Sequence, residues 1–238
     1  MKKIIILLLG ILLVSCTREP EIAEPDTTGI NEENKGENIM DLEKLEKNVK
    51  ARGFEFFHAA TAEEAVQHVL EQVQNTSVGI GGSTTVDQLG LYDRLKENNE
   101  VHWHWKDGPK PEVYRDAAEA EVYLSGVNGI AETGELVNID GKGNRVAALS
   151  YAVGKRIYLL AGKNKVCPDL ASAIDRARNV AAPKNLLRFP GKRPCTDAQR
   201  CFDCRSADRG CCIMQILMFK PMQSVKVELI LIDEDLGY

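Results

Sequence analysis

The chain has 238 residues, with 30 basic and 35 acidic side chains, a net charge of −5, 44% hydrophobic residues and seven cysteines. That length and apolar content supply one sizeable core rather than several small ones, and the lack of a basic excess excludes a nucleic-acid binder that works by charge. The imbalance is local: residues 1–16 carry +2 and residues 17–40 carry −5, which leaves −2 of the total for residues 41–238.

The chain opens MKKIIILLLGILLVSC. Lys2 and Lys3 precede an apolar run from Ile4 to Val14, too short to span a bilayer, which takes about 20 residues, and patterned as a secretory signal. Its end, Leu13-Val14-Ser15-Cys16, resembles the bacterial lipobox. That resemblance makes Cys16 the lipidated first residue of a lipoprotein anchored on the extracytoplasmic side of a membrane. Residues 17–40 hold seven acidic and two basic side chains, two prolines and almost no large apolar residue, so they are expected to form a disordered acidic tether. Met40 is the alternative start, of a cytoplasmic protein without signal or tether.

From Asp41 onward the pattern alternates between helical and strand periodicities. Asp41 is placed to cap a helix bearing Leu42, Leu45 and Val49 and ending at Gly53. Phe54–Phe57 reads as a strand. Thr61-Ala62-Glu63-Glu64 is a capping box ahead of a helix with Ala65, Val66, Val69 and Leu70 on one face. Ser77–Ile80 is a buried strand, Thr84–Lys96 a helix, Val101–Trp105 a strand, Pro111–Glu119 a helix and Glu121–Leu124 a strand. Ile130–Ile139 folds back as a hairpin at Glu132-Thr133-Gly134, and Asn144 is positioned as the N-cap of a helix over RVAALSYA. Lys155–Ala161 is the strongest strand, Asp169–Val180 a helix, and Val225–Ile232 a last strand returning to the sheet. This order predicts an α/β fold: a mostly parallel sheet covered by helices, with a cysteine-rich segment, residues 193–212, near the C-terminus.

Gly79–Gly90, GIGGSTTVDQLG, follows a buried strand and opens a helix. Gly81 and Gly82 permit close backbone approach or a positive φ. Ser83 and Thr84 add hydroxyls and N–H groups, a recipe for holding a phosphate or carboxylate. The loop is neither a Walker loop nor a dinucleotide fingerprint, and a tight structural turn is the other reading. His102 and His104 alternate with Trp103 and Trp105, which reads as strand-edge packing rather than a metal pair.

GGSTTVDQLGLY, YLSGVNGIAETGELVNIDGKGNRVAAL, IYLLAGKNKVCPDLASAIDRARNVAAPKN, the cysteine segment and the final DLGY together resemble the LUD family, the lactate-utilisation domain proteins. The likeness spans about Asp41 to Tyr238. It implies a fold like that of sugar-phosphate isomerases and CoA-transferases. It also implies a role in converting L-lactate to pyruvate alongside iron–sulfur partners, with a sugar-phosphate or CoA-thioester enzyme and a non-catalytic metabolite-binding lipoprotein as rivals. By analogy the site lies at the carboxyl end of the sheet, where four stretches meet: Gly81, Gly82, Ser83 and Thr84; Asn128 with Glu132; Asp140 to Arg145, including Asn144; and Lys163 to Lys165, including Asn164. Glu132 would be the catalytic base and Arg145 or Lys165 the clamp for a small anionic metabolite. A homodimer or an oxidoreductase is the expected protein partner.

RPCTDAQRCFDCRSADRGCC, residues 193–212, holds five of the seven cysteines. Cys195, Cys201, Cys204 and Cys211 match the family's segment, and Cys212 is extra. Four thiolates suit a 4Fe–4S cluster or a zinc ion. Export would favour disulfides instead, and free thiols are the third reading. Cys167 reads as a buried small apolar residue.

Overall fold

The computed structural model describes residues 40–238. The signal sequence, the lipobox Cys16 and the acidic tether expected over residues 1–39 lie outside the described residues. Among the described residues no helix is long and apolar enough to cross a membrane.

Helix α1 (Leu42–Ala51) begins at Asp41, whose carboxylate accepts the Lys44 N–H at 3.0 Å, and buries Leu45 and Val49. Strand β1 (Glu55–Ala59) leads to α2 (Ala62–Gln72). Thr61 caps α2 by accepting from Glu64 N, while the Glu64 carboxylate accepts from Ala60 N, one residue earlier than in the usual capping box. After β2 (Ser77–Ile80) the expected single helix Thr84–Lys96 is two, α3 (Thr84–Gln88) and α4 (Leu91–Lys96). Gly90, at φ 63°, adopts the left-handed conformation between them and breaks the helical ladder. Strand β3 is only Glu100–His102. The expected extension to Trp105 fails because the chain turns at Trp103, whose N–H and carbonyl bond to Asp107 instead of continuing the sheet.

Helix α5 (Pro111–Glu119) and β4 (Val122–Gly126) follow, then the hairpin β5 (Gly129–Ala131) and β6 (Leu136–Asp140). Helix α6 (Asn144–Ser150) has Gly143 at its N-cap, in the left-handed region, so Asn144 is its first residue and not its cap. The capping is done by Asp140, whose Oδ2 accepts from Arg145 N at 2.9 Å and Val146 N at 3.2 Å. Strand β7 (Arg156–Gly162), a short 3-10 turn (Lys163–Lys165) and β8 (Val166–Cys167) precede α7 (Leu170–Arg176). That helix runs on through a π-helical turn (Ala177–Ala181) into α8 (Ala182–Leu186), beyond its expected end. Helix α9 (Pro194–Ala198), β9 (Ile213–Leu217) and β10 (Lys226–Ile232) complete the chain.

Six strands form an all-parallel sheet in the order β1-β10-β7-β4-β2-β3. Its central strands are buried on both faces, as parallel strands between helices must be. Along β7, Tyr158 and Leu160 belong to the core beneath α2, α3 and α4. Ile157, Leu159 and Ala161 belong to the opposite core with α1 and α6. A second sheet, β8-β5-β6-β9, packs α7 through Ala131, Val137, Cys167, Ala173 and Ala177. Cys167 is buried there as expected, and burial pushes its thiol up.

Candidate functional site

The carboxyl ends of β2, β4 and β7 open onto a cavity of about 910 Å³. Ligands of open parallel sheets bind outside these strand ends, where the connecting loops diverge. The loop after β2 lines it with Gly82, Ser83, Thr84 and Thr85. The end of β4 brings Gly126 and Asn128, the turn after β7 brings Lys165, and β6 with the start of α6 brings Asp140, Asn144 and Arg145. The stretches after β2, β4 and β7, 37 or more residues apart in sequence, thus meet because each follows a strand of one sheet.

The lining carries seven basic side chains, Lys106, Lys142, Arg145, Lys165, Arg188, Arg193 and Arg209, against three acidic ones, Asp87, Asp140 and Asp208. Asp87 is ion-paired to Lys106 at 2.9 Å, Asp140 caps α6, and Asp208 accepts from Lys192 N. Lys165 is 3% exposed, and its Nζ donates to Thr85 Oγ1 at 2.8 Å. Burial, with the charges of Arg176 and Arg145 adding to it, pulls its ammonium down to about 7. Arg145 is also buried, its guanidinium solvated by neutral oxygens of Gly126, Asn128, Asn138 and Ile139. Arg176 donates to the backbone oxygens of Asn164, Asn128 and Tyr238. Lys165 and Arg145 thus stand in the cavity with no carboxylate on their side-chain nitrogens among the described residues.

Gly81 and Gly82 earn their place by close approach, not by positive φ, which neither has. A Cβ on Gly81 would stand 2.7 Å from Arg145 Cγ, and one on Gly82 3.3 Å from the Trp105 ring. Ser83 is buried and its hydroxyl accepts from Val86 N, capping the five-residue α3. The opposite wall is aromatic and was not legible in the sequence. Arg188 lies 3.9 Å from the centroid of Trp105, which stacks on Trp103, and its Nη1 reaches Thr84 Oγ1. His104, expected on a strand face, instead lines the cavity and stacks on Tyr114 at 4.6 Å. Burial, then the charge of Lys142, pushes His104 down to about 4, so it is neutral at neutral pH.

Three expected site residues, Gly81, Glu132 and Asn164, do not line the cavity. Glu132, at the hairpin tip, is buried away from the cavity, where it binds α1: Lys44 Nζ pairs with its carboxylate at 3.0 Å and Asn48 donates to its carbonyl. Asn164 accepts from Leu236 N and holds the C-terminal segment beside β7.

A family model described as the LUD domain matches residues 42–232. The chain belongs to the LUD-domain family. A structural relative is a DUF162 family protein from Deinococcus radiodurans, 11% identical, with a TM-score of 0.47 over 80% of this chain and 95% of that one. Comparison with curated proteins gives no match.

In this LUD domain the cysteine segment borders the cavity through Cys211. The Cys195 thiol is raised by burial and then by the nearby Cys204, Cys211 and Cys201. Cys211 is raised by burial, with Arg209 opposing and Cys201 and Cys204 adding. Those four thiols thus act on one another electrostatically, and Cys212 is exposed. Arg178 Nη2 lies 3.7 Å from Cys201 Sγ, and Asp203 N 3.4 Å from it. All six described cysteines are free thiols, and among the described residues no three His, Cys, Asp or Glu side chains converge as metal ligands would. The donor set suits a thiolate-bound metal in kind, since four sulfurs flanked by arginines can carry the charge. Their present arrangement does not form a closed coordination shell.

Proposed function

We propose that this LUD-domain protein of the lactate-utilisation type binds a small anionic metabolite in the cavity at the carboxyl ends of β2, β4 and β7. The observation that carries this reading is the surplus of cations in a space of about 910 Å³, above all Lys165 and Arg145, buried without a carboxylate partner. A buried charge that lacks a counter-ion is costly, and an anionic ligand supplies one. The volume falls at the upper end of ordinary ligand pockets, about 300–1,000 Å³, and exceeds what a three-carbon acid fills. A three-carbon acid would use the cationic part alone, and a larger ligand would lay an apolar or planar portion along the Trp105–Arg188 wall.

Thermal unfolding tests the reading. Phosphate, carboxylates, sugar phosphates and CoA esters are added at millimolar concentration, and ligands that bind the native state raise Tm. A rise that Lys165→Met abolishes supports the assignment; no rise with any anion removes it. Turnover of the stabilising ligand distinguishes an enzyme from a binding module.

The reading extends to two features of the chain outside the cavity. The lipobox motivates a membrane-tethered protein, acylated at Cys16, on the extracytoplasmic side. Its test is fractionation of wild type and Cys16→Ala, and a soluble protein beginning at Met40 overturns it. The spacing of Cys195, Cys201, Cys204 and Cys211, and their electrostatic influence on one another, motivate a thiolate site for zinc or a 4Fe–4S cluster. Metal analysis and a visible spectrum of protein purified without oxygen test this: Cys201→Ser is expected to lose the metal and Cys212→Ser to keep it. Disulfides found by mass spectrometry would count against it.

A further inference from the structure

Anion binding leaves one property of the cavity without a use. A clamp for phosphate or carboxylate is best made of arginine, which stays charged and hydrogen-bonds in a planar fork. The most deeply buried cation here is a lysine. Lys165 enters from the turn after β7, and among the described residues the hydrogen-bond partner of its Nζ is one hydroxyl, Thr85 Oγ1. Arg145 and Arg176 are the charged groups that act on it, from α6 and α7, and both oppose its protonation. The backbone at Gly237 passes so close to the Thr85–Lys165 pair that a side chain there would collide with both. The nitrogen is thus held in one place, shielded from water, in surroundings that favour the free amine near neutral pH. A lysine desolvated beside other cations is how an amine becomes a nucleophile at neutral pH.

We propose that Lys165 captures the carbonyl carbon of a small anionic carbonyl compound, a 2-oxo acid or a phosphorylated sugar, as an imine within the cavity. The proposal deepens the anion-binding reading above and rests on it. The Nζ lone pair attacks the carbonyl carbon and the C=O π bond opens to a carbinolamine. The nitrogen gives up both its hydrogens, the carbonyl oxygen leaves with them as water, and a C=N bond remains. No oxidant or reductant is consumed. The ligand's carboxylate or phosphate sits in the surplus positive charge of the walls. Thr85 Oγ1 fixes the direction from which the nitrogen approaches.

The test is reductive trapping on the full chain. Wild type is incubated with sodium cyanoborohydride and, in separate arms, glyoxylate or pyruvate (carboxylate) and glyceraldehyde 3-phosphate (phosphate). Intact mass and peptide mapping follow. The expected result is one adduct per chain, at Lys165, in at least one arm, reduced by an excess of an anion without a carbonyl. The arm that labels identifies the acid group. Labelling should increase from about pH 6 to about pH 8, where surface lysines, with an unperturbed pKa of about 10.4, stay protonated. Lys165→Arg should keep the anion-induced rise in Tm and lose the adduct. If anions raise Tm but no arm labels Lys165, the imine is wrong and the binding reading stands. If Lys165→Arg labels as strongly as wild type, surface lysines are reacting and the proposal fails. If there is neither a Tm rise nor an adduct, both readings fall.

Discussion

Lys165 makes a prediction about stability that is independent of any ligand. Its unfolded-state pKa is the ordinary lysine value, while burial and the two arginines hold the folded-state value at about 7. Between about pH 7 and about pH 10.4 the unfolded chain therefore binds a proton that the folded protein does not, and stability rises with pH across that window. Below it the folded protein bears the full cost of a buried, unpaired ammonium. Replacing the charge with an isosteric apolar group removes the cost. Lys165→Met is thus expected to be more stable than wild type at pH 6, with the advantage shrinking as pH approaches 10. Urea unfolding of both proteins across this range checks it, and a pH-independent difference would show that the lysine titrates normally. His104 acts in the same direction at lower pH. With a folded value of about 4 it costs stability as pH falls from about 6.5, where the unfolded imidazole takes up its proton. Glu132 marks the limit of reasoning from residue type. A carboxylate at the tip of a glycine turn has the chemistry of a base, but its partners Lys44 and Asn48 come from α1, which no local pattern connects to it.

At the scale of elements, the site depends on how short segments are terminated. Helix α6 has no side-chain cap at Gly143, so the Asp140 carboxylate at the end of β6 both ends the strand and begins the helix. That positions Arg145 against Gly81. Asp140→Ala is expected to lose about 1–2 kcal/mol, as lost caps do, measured by chemical denaturation. The anion-induced rise in Tm should survive or increase, because a negative charge has left the cavity. Loss of anion binding together with intact stability would mean that Asp140 contacts the ligand instead of holding α6. The π-helical turn at Ala177–Ala181 is a second such device. It joins α7 to α8 without a break, keeps Ala173, Ala177 and Ala181 buried, and carries Asn185, Leu186 and Arg188 onward to the cavity wall.

At the scale of the whole molecule, the last strand is an interior strand of the sheet, one in from its edge. β10 pairs with β1 on one side and β7 on the other, along Glu55–Ala59 and Arg156–Gly162 respectively. Its residues Leu229, Ile230, Leu231 and Ile232 are fully buried, two facing each core. Removing residues 213–238 would leave β1 unpaired, strip the centre from both cores and delete β9 from the second sheet. The truncated chain is expected not to fold, as shown by loss of cooperative thermal unfolding and of near-ultraviolet circular dichroism. A truncated chain that still unfolds cooperatively would contradict the topology. The same topology joins the cysteine segment to the site: residues 199–212 run between α9 and β9, and Cys212 N bonds to Asp140 O at 2.9 Å beside the cavity.

The sequence by itself determined the α/β alternation, the capping of α1 and α2, and the hairpin of β5 and β6. Each rests on contacts within a few residues: a side chain on its own helix terminus, a 3.6-residue or two-residue burial period, a glycine at a turn. The family resemblance placed Gly82, Ser83, Thr84, Asn128, Asn144, Arg145 and Lys165 in segments at the strand ends, and these line one cavity. Tertiary structure decided what local pattern does not encode. Thr84–Lys96 was apolar enough for one helix, but the backbone at Gly90 splits it. VHWHW alternates as a strand does, yet Asp107 draws Trp103 out of the sheet and His104 and Trp105 line the cavity instead. Arg188 follows α8, and Arg193 and Arg209 lie in the cysteine-rich segment; no local pattern marks them as cavity wall, which they become only where α8 and the following loop fold over the strand ends. The shift of Lys165 arises from burial and from Arg145 and Arg176 at distances of 20 and 11 residues along the chain. Burial and long-range charge are properties of the assembled fold, since the dielectric around a side chain is set by everything packed against it.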